Sequence, residues 1–274
     1  GYYSRARNLH RCAQVVVQDW GGRFPESAAQ LAGLPGIGDS TAAAIAAFCY
    51  GERVSIVDGN VRRVLSRVLS FDQDLATAPA QRALWDVAQR LLPQQPSQDD
   101  MVAYTQGLMD LGAMLCTRSR PACNRCPMAN ICTAHQQGAV DRFPFKSRRL
   151  VRRHEAWWLL VLRRPGTAAA EPAVWLERRP ARGIWAGLHC VPVFTDEASA
   201  CAYWGGDEQA LHPLPAVVHA LTHKELRLHP LLVDMTEDTS ARFTDEAGAW
   251  WPVGRLDGVG LPAPVRTLLS ALPS

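Results

Sequence analysis

The chain has 274 residues, 47% of them apolar and 20% charged, with a formal net charge of +3. That length and composition suit one large globular domain or two ordinary ones, and no run of about 18 uncharged apolar residues marks a membrane-spanning helix. Eight cysteines in so long a chain do not make a disulfide scaffold, and no secretory signal opens it, so reduced thiols in a cytoplasmic setting are expected.

Charge is uneven along the chain. Residues 1–150 carry 17 Lys/Arg against 12 Asp/Glu, whereas residues 151–274 carry 12 against 14. The basic residues are mostly arginine. They cluster at Arg62/Arg63/Arg67, at Arg118/Arg120/Arg125 and over 142–153, an arrangement suited either to phosphate contacts or to a solvated basic face.

Apolar periodicity predicts helices over 5–19, 27–33, 41–49, 59–70, 79–92 and 101–115. Between the second and third lies Leu34-Pro-Gly-Ile-Gly-Asp-Ser-Thr41. Pro35 presets a turn, Gly36 supplies a positive φ and Gly38 permits close backbone approach. Ser40 or Thr41 is expected to cap the helix that follows, whose outward N–H groups would attract phosphate without reading bases. The spacing L-P-G-x-G is the helix-hairpin-helix signature; without it the segment reads as an ordinary helix–helix turn. Ahead of the fourth helix stands Ser55-Ile-Val-Asp58-Gly-Asn-Val-Arg62. Asp58 is expected as its N-cap, where the helix dipole and amide donors favour an anion. Such a carboxylate could also stabilise a cationic sugar.

The sixth helix runs into CTRSRPACNRCPMANIC, which holds Cys116, Cys123, Cys126 and Cys132 in the spacing C-x6-C-x2-C-x5-C. The C-x2-C pair can reach a single centre, and two flanking cysteines complete a set of four. A [4Fe–4S] cluster and a structural zinc both fit the spacing, the compact loop favouring the cluster. A basic connector over 136–154 follows. Beyond it the texture changes to strands over 157–163, 173–177, 188–194 and 216–229. The expected organisation is a helical domain over 1–135, a linker over 136–154 and a mixed domain over 155–274.

The segments GYYSRARNLH, LPGIGDST, VDGNVRRVL, MDLGAMLCTRSRPACNRCP and WAGLHCVP together resemble the MutY-type adenine DNA glycosylases of the endonuclease III superfamily, over nearly the whole chain. The resemblance implies a mainly α glycosylase domain with a helix-hairpin-helix and a [4Fe–4S] loop, followed by an α+β Nudix-like domain. It implies base excision repair, with hydrolytic removal of adenine paired with 8-oxoguanine or guanine in double-stranded DNA, by a monomer in a bacterial cytoplasm. Residue by residue, Asp58 matches the carboxylate that stabilises the oxocarbenium-like sugar. Cys116, Cys123, Cys126 and Cys132 match the cluster ligands. Tyr2 matches an aromatic that stacks near the lesion, Gly36 and Gly38 the DNA-gripping hairpin, and Gln106 a polar position near the extruded adenine.

Three departures stand out. Ser40 occupies the position where bifunctional relatives such as endonuclease III carry a Schiff-base lysine, so a hydrolytic, monofunctional enzyme is expected rather than a lyase. Asp39 puts an acid in the hairpin, which weakens its phosphate grip. The family's Phe-Ser-His appears as Leu221-Thr222-His223, keeping a hydroxyl and losing a ring, with Thr222 and His223 expected to meet the lesion. The stretch VFTDEASACAYWGGDEQ lacks the R-E-x-x-E-E pattern that holds magnesium in working Nudix hydrolases, so the second domain is expected to bind rather than hydrolyse. The chain opens with Gly1 inside a family segment, and no residue matches the glutamate that protonates adenine. A fragment that releases no adenine by itself is therefore expected, with a non-catalytic DNA-binding module or an endonuclease III-like glycosylase/lyase as the rival readings.

Overall fold

In the computed structural model, described for residues 3–147, 152–167, 170–240, 242–243 and 247–272, the chain forms two compact units, Tyr2–Arg149 and Leu150–Ser274. The break falls inside the expected linker, but the linker's first half belongs to the helical unit. Leu75 N donates to Phe145 O (3.0 Å), and Asp74 accepts from the backbone N (3.0 Å) and the hydroxyl of Ser147.

The helical unit comprises α1 (Tyr3–Asp19), α2 (Ala28–Leu31), α3 (Asp39–Tyr50), α4 (Gly59–Val68), α5 (Ala78–Arg90), α6 (Gln98–Asp110) and α7 (Thr133–Gln136). Each predicted helix is present, and capping chemistry explains the shifted ends. α6 begins three residues early because Ser97 and Asp100 form a reciprocal capping box. It then widens into a π-helical turn over Leu111–Leu115. α3 also starts early, at Asp39, with Gly38 as N-cap and no side-chain cap bond. Ser40 and Thr41 therefore lie inside the helix and do not cap it. Small residues set the packing of α3, since Ala42, Ala43, Ala46 and Ala47 are buried to within 1% exposure and let neighbouring backbones approach. The apolar stripe of α4, through Val61 and Leu65, meets Val57, Leu75, Leu84 and Ala88 in the main helical core.

The second unit contains β1 (Arg153–Arg164), β2 (Ala173–Arg178), β3 (His189–Cys190), β4 (Val193–Phe194), α8 (Glu197–Trp204), β5 (His212–Pro213), β6 (Val217–Ala220), β7 (Lys224–Asp234), α9 (Glu237–Ser240), β8 (Gly248–Pro252) and α10 (Ala263–Ser270). Among the described residues the sheet has the order β3-β2-β1-β7-β5, with β4 pairing with β1, β6 with β7 and β8 with β2. The central pair, β1 and β7, is parallel from Arg153↔Lys224 to Arg163↔Asp234. Strand alternation sends Leu159 and Val161 into one core, with Leu226 and Leu228 and with Val265 and Leu269 of α10. Leu160 and Leu162 enter the other, with Leu231, Val233 and Trp204 of α8. Covered on both faces, β1 reads as the continuous apolar run Trp-Trp-Leu-Leu-Val-Leu.

Two predicted strands are corrected. The strand expected over 188–194 is two short ones, β3 and β4, separated at Pro192, which has no N–H for the ladder. The strand expected over 216–229 is a hairpin, β6 turning into β7, with Leu221 N donating to Lys224 O (2.7 Å) across the turn. Helices α8 and α10 and strand β8 add to the predicted pattern.

Gly36 has φ +81°, and a Cβ there would lie 2.6 Å from Cβ of Asn8 in α1. Gly38 has φ −88° and no neighbour within 4 Å of a Cβ. Gly36→Ala is expected to destabilise the helical unit by about 2–4 kcal/mol through strain and overlap, and Gly38→Ala by about 1 kcal/mol or less, compared by thermal melts. Equal losses would show that the turn does not depend on the α1 contact.

Candidate functional site

Asp58 caps α4. Its Oδ1 accepts from the backbone N of Asn60 (2.9 Å) and of Val61 (2.7 Å), while Oδ2 takes no hydrogen bond among the described residues. Ser55, Ile56 and Val57 just before it are buried, so the half-buried carboxylate is held from both sides with one oxygen unengaged.

The same face of α4 ties Asp58 to the cysteine loop. A Cβ on Gly112, in the π-helical turn, would sit 2.7 Å from Cβ of Asn60, so only glycine admits this approach. Arg63 then bridges three acceptors. Its Nη2 donates to Asn60 Oδ1 (2.9 Å) and Gly112 O (2.6 Å), and its Nε to Cys116 O (2.6 Å). One turn on, Arg67 is 2% exposed. It donates to Val140 O, Phe143 O, Thr117 O and Arg118 O, and to Cys116 Sγ at 3.3 Å. The basic cluster read as a phosphate-contacting or solvated face is thereby corrected for these two arginines, which are internal struts. The positions 60, 63 and 67 share one helical face, a spacing that was readable in the sequence.

Cys116, Cys123, Cys126 and Cys132 are free thiols lining one cavity, whose wall is completed by Arg67, His135 and apolar groups including Val64, Leu111, Leu115 and Val140. Burial raises the Cys123 thiol above its usual pKa, the neighbouring Cys116, Cys132 and Cys126 add to the rise, and Arg67 opposes it. Among the described residues no three His, Cys, Asp or Glu side chains converge tightly enough to hold a metal ion.

The hairpin between α2 and α3 presents an open helix start. The N–H groups of Thr41 and Ala42 both reach Gly38 O (2.9 Å), leaving those of Asp39 and Ser40 without an acceptor among the described residues. They border a cavity of about 900 Å³ lined also by Arg62, Gln81, Arg82 and Trp85. Gln106 lies on an exposed face of α6 and donates to Asp110 Oδ1 (2.7 Å). Tyr2 lies outside the described residues. In the second unit, Thr222 and His223 are exposed in the β6–β7 turn, which His223 O fixes to β1 by accepting from Arg153 N (3.1 Å). The stretch without the magnesium-binding pattern forms α8, capped by Asp196, whose Oδ1 accepts from Ser199 N (2.7 Å).

A model of the NUDIX domain matches residues 161–271. Among solved structures, a thermostable thymine-DNA glycosylase is 31% identical over 48% of this chain and 59% of its own, with a TM-score of 0.41. The adenine DNA glycosylase of Buchnera aphidicola subsp. Schizaphis graminum is 26% identical over 98% of this chain and 76% of its own length. That of Rattus norvegicus is 32% identical over 91% of this chain and 57% of its own. The chain is similar to adenine DNA glycosylases over most of its length. The NUDIX match begins within β1 and ends just past α10, so it coincides with the sheet unit.

Loss of Arg63 would leave three acceptors of the helical unit without their donor. Arg62 Nε, by contrast, is buried with no partner. Arg63→Met is expected to cost about 2–3 kcal/mol and Arg62→Met less than about 1 kcal/mol, read from urea melts followed by circular dichroism. A reversed order would overturn the strut assignment.

Proposed function

We propose that the protein hydrolyses the N-glycosidic bond of adenine paired with 8-oxoguanine or guanine in double-stranded DNA, as a monofunctional, monomeric repair enzyme of the cytoplasm. The observation that carries this reading is Asp58, one oxygen fastened by two backbone amides and the other free. As the C–N bond of an extruded nucleotide breaks, positive charge develops on the sugar, and a carboxylate already held in place stabilises it without reorganising. Ser40 supports hydrolysis over lyase chemistry, because a hydroxyl forms no imine with the sugar.

DNA is gripped, in this reading, by the hairpin. The N–H groups of Asp39 and Ser40 take a backbone phosphate at the start of α3, with Gly36 and Gly38 allowing the approach. Tyr2 stacks near the lesion, Gln106 lies by the extruded adenine, and the Thr222–His223 turn reads 8-oxoguanine on the facing strand.

The four cysteines fit a [4Fe–4S] cluster by their donor set, four thiols and no carboxylate around one cavity that Arg67 and His135 also line. Cys116, Cys123, Cys126 and Cys132 would hold it, and its chemistry here is cross-linking. Bound, it would order a loop that carries Arg118, Arg120 and Arg125, three cations available to phosphate. Purified protein is expected to be yellow-brown with roughly four irons per chain; stoichiometric zinc without iron would refute the assignment.

The functional test is single-turnover base release from a duplex with adenine opposite 8-oxoguanine, run on the protein with an adenine-protonating glutamate present, because the chain by itself is expected to release none. Asp58→Asn keeps a capping side chain, so its melting point and duplex affinity should stay near those of the parent while the rate falls by about 10²–10³-fold. An unchanged rate would remove Asp58 from the chemistry, and a borohydride-trapped protein–DNA adduct would overturn the monofunctional reading. Thr222→Ala or His223→Ala should reduce discrimination between 8-oxoguanine and guanine by about 1–3 kcal/mol. Equal weakening on both duplexes would assign the turn a supporting role only.

A further inference from the structure

Arg67 carries a permanent charge at 2% exposure, yet no carboxylate pairs with it among the described ion pairs. Its hydrogen-bond partners are four backbone carbonyls and one sulfur, Cys116 Sγ at 3.3 Å. The same residue touches a second loop cysteine through its backbone, since Cys132 Sγ donates to Arg67 O at 3.5 Å. Carbonyl dipoles solvate a guanidinium but do not neutralise it, and a buried charge persists where an opposite charge answers it. Arg67 belongs to the wall of the four-cysteine cavity. The only groups of that wall able to supply negative charge are the thiols, once deprotonated by binding a metal core.

We propose that Arg67 is the built-in counter-ion of the cysteine-held cluster, acting as a positioning residue that retains the cluster and raises its reduction potential. This rests on the cluster reading above. Four thiolates around a [4Fe–4S]²⁺ core carry a net charge of two minus, and one-electron reduction adds a third. A fixed cation at one of the sulfurs stabilises the reduced form more than the oxidised form. The N–H···S bond acts in the same direction by drawing electron density off Cys116 Sγ. Arg63, by contrast, reaches the backbone oxygen of Cys116 rather than its sulfur, so the two arginines divide the work of holding the loop and of meeting the cluster's charge.

The test uses the whole protein purified with its cluster. Iron content and visible absorbance come first, and a parent protein without iron sinks the cluster reading itself, separately from the role of Arg67. In loaded protein, Arg67→Gln, which removes the cation and keeps N–H donors, should weaken stabilisation of the reduced form about tenfold. For a one-electron couple this is a negative shift of about 59 mV, read by voltammetry of the protein on an electrode. Iron transfer to a chelator should quicken about tenfold, while Arg67→Lys, which keeps the charge, should stay within about threefold of the parent. A potential in Arg67→Gln indistinguishable from the parent overturns the proposal, whatever happens to stability. Should Arg67→Gln yield no loaded protein, Arg67→Lys decides. Retained iron and a near-parent potential support the counter-ion, and loss of the cluster with charge preserved shows instead that the guanidinium fork merely staples carbonyls.

Discussion

The helical unit depends on the closeness of α4 to the π-helical turn at its side. Asn60 and Gly112 meet where a single additional carbon would collide, and every interaction around Asp58 and the cysteine loop is arranged about that contact. It brings the Gly112 carbonyl to the Arg63 guanidinium and fixes Cys116 as the first residue beyond the turn. A widened helical turn is otherwise a weak local arrangement. Here it is stabilised by an arginine that satisfies carbonyls the turn would leave unpaired.

The face of α4 running through Asn60, Arg63 and Arg67 is largely polar, with Val64 among these groups lining the cysteine cavity. Val61 and Leu65 make the apolar core on adjoining positions of the same helix. One ten-residue helix therefore divides its circumference between an apolar stripe that folds the unit and a polar stripe that positions its chemistry. The polar stripe works because its partners are carbonyls and sulfur, which accept from a guanidinium without bringing further charge into the interior.

Much of the architecture was legible in the sequence. Helical periodicity located the helices, and the L-P-G-x-G turn and Asp58 cap were readable because glycine, proline and short acceptor side chains have few other uses in those settings. What escaped was what depends on distant partners. Arg63 and Arg67 read as basic surface because arginine usually is, and only the carbonyls of Gly112, Cys116 and Thr117 make them internal. The turn at Leu221-Thr222-His223 escaped because it has no glycine, proline or asparagine to announce it. The helix α8 has no apolar periodicity to announce it, only an ordinary cap at Asp196. The register of β1 with β7 is set by tertiary pairing across some 70 residues (Arg153↔Lys224), beyond what a local pattern can encode.

That long-range pairing has a consequence for synthesis. β1 is among the first elements of the sheet unit to be made, and β7, its parallel partner along almost its whole length, is among the later ones. At roughly 5–20 residues per second, the intervening stretch occupies the ribosome for roughly 4–14 s, during which Trp157 to Leu162 has no central partner. The helical unit needs no such wait, because its helices are built from near neighbours. Nascent chains of this protein thus pass through an interval with one unit able to fold and a bare apolar strand emerging behind it. The demand for chaperone protection falls on that strand, and on that interval of translation.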